Sequence, residues 1–425
     1  MSIILGCIAD DITGATDIAL MLSSHGMRVV QVLSIPDESE KIEADAIVVA
    51  QKTRSIPVAD AVAESLKALR WLKSLGCQQF FFKYCSTFDS TAKGNIGPVT
   101  EALLKELNES YTIACPSFPK NGRKVFNGYL FVHEGLLSES SLKDHPLTPM
   151  RDSNLVRVLN PQMSNDGSVG LIHFEVVESG ADAIRDAMDE QRKSKTCSIV
   201  DAITDRHLKN IAEASSDLVL LTGGSALAMG LPENYRRAGL LPENLEPLAL
   251  PKIDGPTVFI AGSCSLATQA QVKRAQEYVP SLAIDPLALS RNEQTIDQIL
   301  STVEDASNSN NEGFLIYSTS DAASVEETQQ ILGIEKAAGL VEETLSSVAK
   351  CLVAKGLRKL VIAGGETSGA VAQALDVVSM HIGPEIAPGV PWTVAYVAGD
   401  PVLLAFKSGN FGDEDFFMTA KNMLP

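Results

Sequence analysis

Short apolar runs alternate with longer amphipathic stretches along most of the chain. Residues 3–8 are almost entirely apolar, and residues 16–25 place apolar side chains at helical spacing before Gly26. The same alternation recurs at residues 79–83 and 99–107, which read as a strand and a helix. Strands that alternate with helices form βαβ units, so the pattern predicts an α/β fold built on mainly parallel sheets flanked by helices.

A proline-rich stretch interrupts this alternation. Residues 231–257 contain five prolines and show little periodicity. Proline at this density cannot continue a helix or a central strand. We therefore predict one domain at residues 1–235, a linker at 236–256 and a second domain at 257–425. Two domains also suit 425 residues, which exceed what one core usually holds.

The remaining elements follow the same pattern on both sides of the break. Further strands are predicted at residues 28–33, 46–50, 112–115, 218–222, 257–261, 313–317, 360–363 and 402–406, and further helices at 59–75, 267–278, 337–355 and 370–375.

The composition narrows the classes of partner. The chain is 45% hydrophobic and 21% charged, which is typical of a globular protein, and its formal net charge is -18. A negative field of this size repels nucleic acid and anionic membrane surfaces, so we expect neither as a partner. If the substrates are themselves anions, the lysines and arginines that bind them must be concentrated in a cleft.

The cysteines and the N-terminal segment predict a cytoplasmic protein. Asp10 and Asp11 interrupt the first apolar run, no basic region precedes it, and no run reaches the ~18 apolar residues of a membrane span. The seven cysteines are scattered and form no C-x-x-C pair, which is typical of reduced thiols. The six histidines are equally dispersed, so a zinc site is not expected.

A glycine-rich segment follows the predicted strand at residues 360–363. Gly364 and Gly365 precede Glu366 and Thr367, and the next helix is predicted beyond Gly369. Glycines let the backbone approach a ligand, and a helix N-terminus offers N–H groups to phosphate oxygens. The segment is neither a Walker A loop nor G-x-G-x-x-G, and a plain turn with a helix cap is the alternative.

Two further loops of the second half share this composition. Ser263 and Ser265 follow the strand at 257–261, and Gly409 follows the strand at 402–406. Loops after parallel strands meet at one edge of the sheet, which is where open α/β sheets bind ligands. Together the three loops predict a nucleotide pocket.

Two adjacent carboxylates, Asp10 and Asp11, follow the first strand. Such a pair is costly to bury unless it is hydrogen-bonded or metal-bound. A general base, a Mg²⁺ contact and a clamp on substrate hydroxyls are the functional interpretations, and a helix cap is the structural one. We expect one aspartate in each role. Asp89 is a third candidate for proton removal.

Cations and other hydrogen-bonding groups follow several strands of the first half. Taken singly, each such turn could simply be solvated, but its position after a predicted strand favours a site. We predict that substrate is bound by Arg54, Lys83, Ser90, Lys93, Arg123 and His145, the last of which could instead cap a turn.

Several long motifs extend from about residue 3 to about residue 417: IADDITGATD, KYCSTFDST, GNIGPV, CPSFPKNGRKVFNGYLFV, HPLTPMRDSNLVRVL, GSCS, GGETSGAV and KSGNFG. Together they resemble the four-carbon acid sugar kinase family, and within it the members that act on 3-oxo-tetronate. Members that act on D-threonate or D-erythronate carry an arginine shortly after Asp-Ser-Thr, where this chain has Ala92 and Lys93.

The resemblance implies a kinase with a sugar-acid-binding N-terminal domain and a nucleotide-binding C-terminal domain. It implies transfer of the γ-phosphate of ATP to the terminal hydroxyl of a four-carbon acid. Because phosphoryl transfer depends on charge neutralisation, we also expect Mg²⁺ to take part. The implied ATP contacts are Ser263, Gly364, Gly365, Glu366, Thr367 and Gly409.

The sequence is compatible with other functions. D-threonate or D-erythronate could be the substrate, or the chain could be a sensor that binds a sugar acid without catalysis. A nicotinamide-dependent dehydrogenase is disfavoured, because the first strand is not followed by G-x-G-x-x-G. Two sites in two domains predict closure about the linker, and a homo-oligomer is compatible with the sequence.

Overall fold

The computed structural model describes residues 3–36, 42–145, 148–164, 167–243, 248–309, 313–318 and 330–424. They form two compact units, Met1–Pro247 and Leu248–Pro425. Both are α/β, and the predicted fold class is confirmed. The proline-rich stretch is not wholly irregular, since Leu231–Arg237 forms a helix. Pro232 is tolerated there because it lies in the first turn, where its missing N–H would have no helical partner.

The first unit contains a parallel sheet in the order β2-β3-β1-β4-β11-β5-β10-β9. Every residue of its strands β1, β3 and β4 is buried. Covered on both faces, these strands appear in the sequence as continuous apolar runs rather than alternating ones. The strands are β1 Leu5–Ala9, β2 Val29–Val32, β3 Ala46–Ala50, β4 Gln79–Lys83, β5 Thr112–Cys115, β9 Val169–Ile172, β10 Cys197–Val200 and β11 Leu220–Gly223.

Helices cover this sheet and share its core. Leu69 and Leu72 of the second helix and Leu103 of the third are fully buried in the same cluster as Phe82. The helices of the unit are α1 Ile12–Ser24, α2 Val58–Ser74, α3 Ile96–Leu107, α4 Leu155–Leu159, α5 Phe174–Glu178, α6 Ala181–Gln191, α7 Asp205–Ala214 and α8 Leu231–Arg237.

A small antiparallel sheet of the first unit is absent from the sequence prediction. Its strands are β6 Arg123–Phe126, β7 Tyr129–Val132 and β8 Gly135–Leu136. Asn127 and Gly128 join β6 to β7 with φ values of 49° and 75°, the left-handed conformation of a tight hairpin turn. The carboxylate of Asp201 accepts from both turn amides, at 2.7 and 2.8 Å, and so fixes the hairpin.

The second unit contains a sheet in the order β13-β14-β12-β15-β18-β17-β16. It is parallel up to β18, whereas β17 and β16 pair antiparallel. The strands are β12 Thr257–Ala261, β13 Ser281–Ala283, β14 Gly313–Tyr317, β15 Lys359–Ala363, β16 Ser379–Ala387, β17 Val390–Val397 and β18 Asp400–Lys407. The helices are α9 Leu266–Ala275, α10 Pro286–Ser290, α11 Ile296–Ser309, α12 Ile334–Ala354, α13 Gly365–Ala374 and α14 Phe416–Asn422.

Two helix starts differ from the sequence prediction. Helix α1 begins at Ile12 rather than at residue 16, and α13 begins at Gly365 rather than beyond Gly369. Glycine and threonine in these first turns weigh against a helix in an isolated segment, but packing on the sheet overrides that preference. Across the described ranges, every helix is too short or too polar to traverse a lipid bilayer.

Candidate active site

The site of the first unit begins with strand register. Ala9 at the end of β1 lies opposite Ala50 of β3 and Lys83 of β4. The polar residues that follow these strands therefore meet at one edge of the sheet. The carbonyl of Asp10 accepts from the amide of Arg54, at 3.2 Å, which ties the two segments together.

Arg54 is at the centre of a group of three carboxylates. Its Nε and Nη2 donate to Oδ2 and Oδ1 of Asp10, at 2.9 and 2.8 Å, and Nη2 also donates to Oδ1 of Asp11 at 2.6 Å. Its Nη1 lies 3.7 Å from Oδ2 of Asp89. The four residues were predicted as site residues from three separate segments, and the structure brings them together. However, the Arg54 guanidinium, which was predicted to bind substrate, is engaged with the protein's own carboxylates.

Asp10 is the most deeply buried of the three, with 5% of its surface exposed. Burial raises its pKa above the usual value, while the hydrogen bonds and charge of Arg54 act in the opposite direction. Both oxygens of the carboxylate already accept from Arg54. This geometry suits a group that orients Arg54.

Asp11 is the N-cap of α1, because its Oδ1 accepts from the amide of Gly14 at 3.1 Å. One of the paired aspartates is thus a helix cap, as the sequence predicted. A β-carbon at Gly14 would overlap the Asp11 carboxylate and lie 2.7 Å from Nζ of Lys83. Glycine at this position therefore leaves room for the Lys83 ammonium, which is 3% exposed and lowers the pKa of Asp10 by its charge.

Asp89 is held in an unusual backbone conformation. Phe88 and Asp89 have φ values of 68° and 33°, a region that non-glycine residues rarely enter. The Phe88 ring is buried against the Tyr84 ring, with centroids 5.5 Å apart, and Thr87 Oγ1 donates to Asp89 Oδ1 at 2.7 Å. Packing and hydrogen bonding thus fix the carboxylate despite the backbone strain, a combination often found at functional sites.

Asn95, the N-cap of α3, and Ser90, in the loop before it, support this group. Asn95 Nδ2 donates to the carbonyls of Thr53, Arg54 and Ile56, which fixes the segment that carries Arg54. Ser90 Oγ accepts from Gln162 Nε2 at 3.0 Å. The cavity that Asp10, Arg54, Asp89 and Ser90 share is ≈ 10 Å³, which leaves room for about one water molecule. Sequence reasoning did not identify Asn95, although it stands in the quoted GNIGPV segment.

Three predicted substrate-binding residues lie elsewhere in the described part of this unit, without a hydrogen bond or ion pair to the Arg54 group. Lys93 is exposed in a turn. Nδ1 of His145 accepts from the amide of Thr148 at 3.1 Å, so this histidine caps a turn, which was the alternative interpretation. Arg123 lines a separate open hollow of ≈ 520 Å³. Other basic residues of that hollow are Lys120, Lys124 and His133.

The candidate site of the second unit is a cavity at the carboxyl ends of β12 and β15. Ala261 lies opposite Ala363, and Ala363 opposite Lys407, so the three glycine- and serine-rich loops begin at the same edge. The cavity has a volume of ≈ 290 Å³. Among its lining residues are Gly262, Ser263, Cys264, Glu342, Gly364, Gly365, Glu366 and Thr367.

Gly364 makes the turn from β15 into α13. Its φ is 130°, and a β-carbon there would lie 3.0 Å from Thr367 Oγ1 and 3.2 Å from the Ser263 amide nitrogen. Because α13 begins at Gly365, Glu366 and Thr367 belong to its first turn rather than to a loop. The N–H groups of that turn have no acceptor within the helix and are at the cavity wall, where they could bind an anion.

The third loop is attached to helix α9. Ser265 Oγ and Thr268 Oγ1 donate to the carbonyl of Gly409 at 2.6 and 2.9 Å, and Gln271 Nε2 donates to the carbonyls of Phe411, Gly412 and Asp413. Of the two predicted residues here, Ser265 caps α9 and Gly409 abuts Ser263. Both therefore support the cavity wall, and neither is among the described residues that line the cavity.

Lys407 is a residue that sequence reasoning did not single out. Its side chain is fully buried, and its ammonium donates to Thr268 Oγ1 and to the carbonyls of Ser408 and Gly409, at 3.1, 3.1 and 2.9 Å. Burial lowers its pKa to about 8. The only signal in the sequence is a lysine at the end of an apolar strand, directly before Ser-Gly.

Two carboxylates also line the cavity. Burial raises the pKa of Glu342, and the charge of Glu366 raises it further. The two side chains are therefore close enough to interact, which leaves negative charge in a cavity otherwise suited to an anion.

Comparison with known proteins assigns a family to each unit. The family model of the sugar-binding N-terminal domain matches residues 5–231, and that of the nucleotide-binding C-terminal domain matches residues 258–417. Together they account for most of the chain.

Relatives also match this chain over nearly its full length. Proteins of Burkholderia multivorans and Cupriavidus necator, both named 3-oxo-tetronate kinase, are 53% and 52% identical over 99% of this chain and 97% of each relative. The crystal structure of a Haemophilus influenzae protein superposes with a TM-score of 0.90 at 42% identity, over 99% of this chain and 100% of that one. The chain therefore belongs to the four-carbon acid sugar kinase family, as its motifs predicted, alongside relatives named 3-oxo-tetronate kinase.

Proposed function

We propose that this protein transfers the γ-phosphate of ATP to the terminal C4 hydroxyl of 3-oxo-tetronate. The observation that carries the proposal is identity above 50%, over 99% of the chain, to proteins named 3-oxo-tetronate kinase. A close match over both domains supports a shared substrate pair more strongly than a match of one domain would.

The nucleotide would bind in the cavity of the second unit. Ser263, Gly364, Gly365 and Thr367 line it, and they offer backbone N–H groups and hydroxyls to phosphate oxygens. Little covalent chemistry is required of a kinase, because phosphoryl transfer depends mainly on alignment and charge neutralisation. A wall built of loop amides and a helix N-terminus is suited to that role.

Mg²⁺ would accompany the nucleotide. Within the described residues, no cluster of three or more histidine, cysteine or carboxylate ligands forms a metal cage. Mg²⁺ commonly binds through one or two carboxylates together with substrate phosphates, and Glu342 and Glu366 provide two in the cavity. The cation would neutralise phosphate charge that would otherwise face these carboxylates.

The sugar acid would bind at the Arg54 group of the first unit, with the buried Lys83 ammonium as the cation for its carboxylate. A hydroxyl is a poor nucleophile, so a carboxylate should accept its proton as the new bond forms. Both oxygens of Asp10 are occupied by Arg54, whereas Asp11 Oδ2 makes no hydrogen bond within the described residues. We therefore propose Asp11 or Asp89 as the proton acceptor and Asp10 as the group that orients Arg54.

The proposal also includes a cytoplasmic location, where ATP is available. All seven cysteines are free thiols, as expected for a protein of that compartment.

Light scattering of the purified protein would decide between a monomer and a homo-oligomer.

A coupled assay for ADP release tests the proposed reaction. The panel should contain 3-oxo-tetronate, D-threonate and D-erythronate, with and without Mg²⁺. We expect the highest kcat/KM with 3-oxo-tetronate. Preference for D-threonate or D-erythronate would replace the proposed substrate within the same family. Tight binding of an acid without ADP release would instead indicate a non-catalytic sensor.

A further inference from the structure

The buried Lys407 ammonium has no carboxylate partner within the described residues, and burial lowers its pKa. A buried charge without an opposite charge beside it is costly, so a lysine at this position requires an explanation. All three of its N–H donors are used by Thr268 Oγ1 and by the carbonyls of Ser408 and Gly409. The lysine therefore acts on the loop that follows β18, and it has no donor left for a ligand.

The carbonyl of Gly409 is the point on which these contacts converge. Ser265 Oγ, Thr268 Oγ1 and Lys407 Nζ lie 2.6, 2.9 and 2.9 Å from its oxygen. A peptide group is planar and trans, so a carbonyl fixed towards α9 directs the following N–H, that of Asn410, away from α9. Within the described residues, the amides of Gly409 and Asn410 donate to no acceptor.

The loop meets the cavity at Ser263. A β-carbon at Gly409 would overlap the Ser263 hydroxyl, and Ser263 itself lines the cavity. Unpaired backbone amides beside a cavity wall are the groups that bind phosphate oxygens in backbone nests. A positive charge directly behind that wall adds attraction for an anion.

We propose that Lys407 is a positioning residue for the nucleotide: with Ser265 and Thr268 it fixes the Gly409 carbonyl on α9, so that the Gly409 and Asn410 amides are presented to the phosphates of ATP. The inference rests on the proposed nucleotide site and assigns it a support that does not touch the ligand.

Kinetics of four variants test the proposal. Lys407→Met and Thr268→Val each remove a donor to the loop, and we expect KM for ATP to rise about tenfold or more, with kcat changed much less. Thr268→Ser keeps the hydroxyl and should restore the KM of the wild type. Lys355→Met is the control, because this exposed lysine, the C-cap of α12, pairs with Glu304 outside the site. Only variants with a cooperative thermal transition should be compared.

Amide hydrogen exchange provides a second readout that a general loss of stability would not imitate. Relative to the wild type, Lys407→Met should show a larger increase in exchange rate in residues 408–413 than in the β16–β17 hairpin of the same unit. An unchanged KM for ATP in both Lys407→Met and Thr268→Val, with unchanged exchange of the loop, would overturn the inference while leaving the proposed kinase intact. If the wild type neither binds ATP nor releases ADP, the proposed function itself fails.

Discussion

The guanidinium of Arg54 forms two parallel hydrogen bonds with the carboxylate of Asp10, Nε to Oδ2 at 2.9 Å and Nη2 to Oδ1 at 2.8 Å. A bidentate pair of this kind fixes orientation as well as charge. It also leaves Nη2 and Nη1 directed at Asp11 and Asp89. The geometry of the whole carboxylate group therefore depends on one arginine.

Removing that arginine should cost substantial stability. In Arg54→Met, the Asp10 carboxylate stays buried without its partner, and we expect the free energy of unfolding to fall by about 3 kcal/mol. Urea unfolding followed by circular dichroism measures this difference. Arg70→Met is the matched control, because Arg70 forms a similar pair with Glu106 but on the surface, where a much smaller change is expected. Equal losses in both variants would contradict the structural role of Arg54.

The proton acceptor can be found by replacing each aspartate with asparagine. Asparagine cannot take up the proton, so the variant at the acceptor should lose about 100-fold in kcat, with little change in KM for the sugar acid. The fold should survive in Asp11→Asn, because asparagine is a good N-cap, and in Asp89→Asn, because asparagine tolerates positive φ.

Asp10→Asn should differ from these two by a loss of stability, since it disrupts the pair with Arg54. Steady-state ADP release and thermal unfolding of all three variants separate the roles. Near-normal turnover in both Asp11→Asn and Asp89→Asn would mean that neither is the base.

The turn at Gly364 should not accept a side chain. In Gly364→Ala, the positive φ and the contacts with Thr367 and Ser263 should lower the free energy of unfolding by at least about 1 kcal/mol and weaken ATP binding. Gly369→Ala is the control, because it lies within α13 with open space around it, and alanine should stabilise a helix interior by about 0.5–1 kcal/mol. Urea midpoints of the two variants should therefore shift in opposite directions.

Lys407 should make stability depend on pH in an unusual direction. Its pKa is about 8 in the folded protein against an ordinary value of 10.5, so between these values the unfolded chain holds more protons than the folded one. The contribution of Lys407 to the free energy of unfolding must then increase as the pH rises between these two pKa values. We expect the Tm difference between wild type and Lys407→Met to shift in favour of the wild type from about pH 7 to about pH 10. A constant difference would contradict the lowered pKa.

The alternation of apolar and amphipathic segments was enough to predict most of the parallel strands and the loops that follow them, but it missed β9, β10 and β13. It also failed where a strand is not a continuous apolar run. The β16–β17 ribbon was missed because Pro384, Pro388 and Gly389 resemble loop residues, yet Pro384 lies where the pairing register shifts and Gly389 lies in the turn between the strands.

Side-chain partners were the least predictable part of the site. Arg54 and Asp10 are 44 residues apart, so no local pattern indicates that they pair. Lysine is rarely buried, so composition gave no reason to select Lys407. In both cases the decisive term is the removal of a charge from water, which depends on the packed structure.

The hydrogen bonds between the 408–413 loop and α9 make the spacing of residues along the helix and the length of the loop depend on each other. Ser265, Thr268 and Gln271 follow one another at intervals of three residues, and each reaches a carbonyl of the loop. One residue inserted into α9 would turn the later donors by about 100° and separate them from their acceptors. An insertion in the loop would displace the acceptors instead. Homologous chains that keep this attachment can therefore vary in sequence here, but they must conserve the helix register and the loop length together.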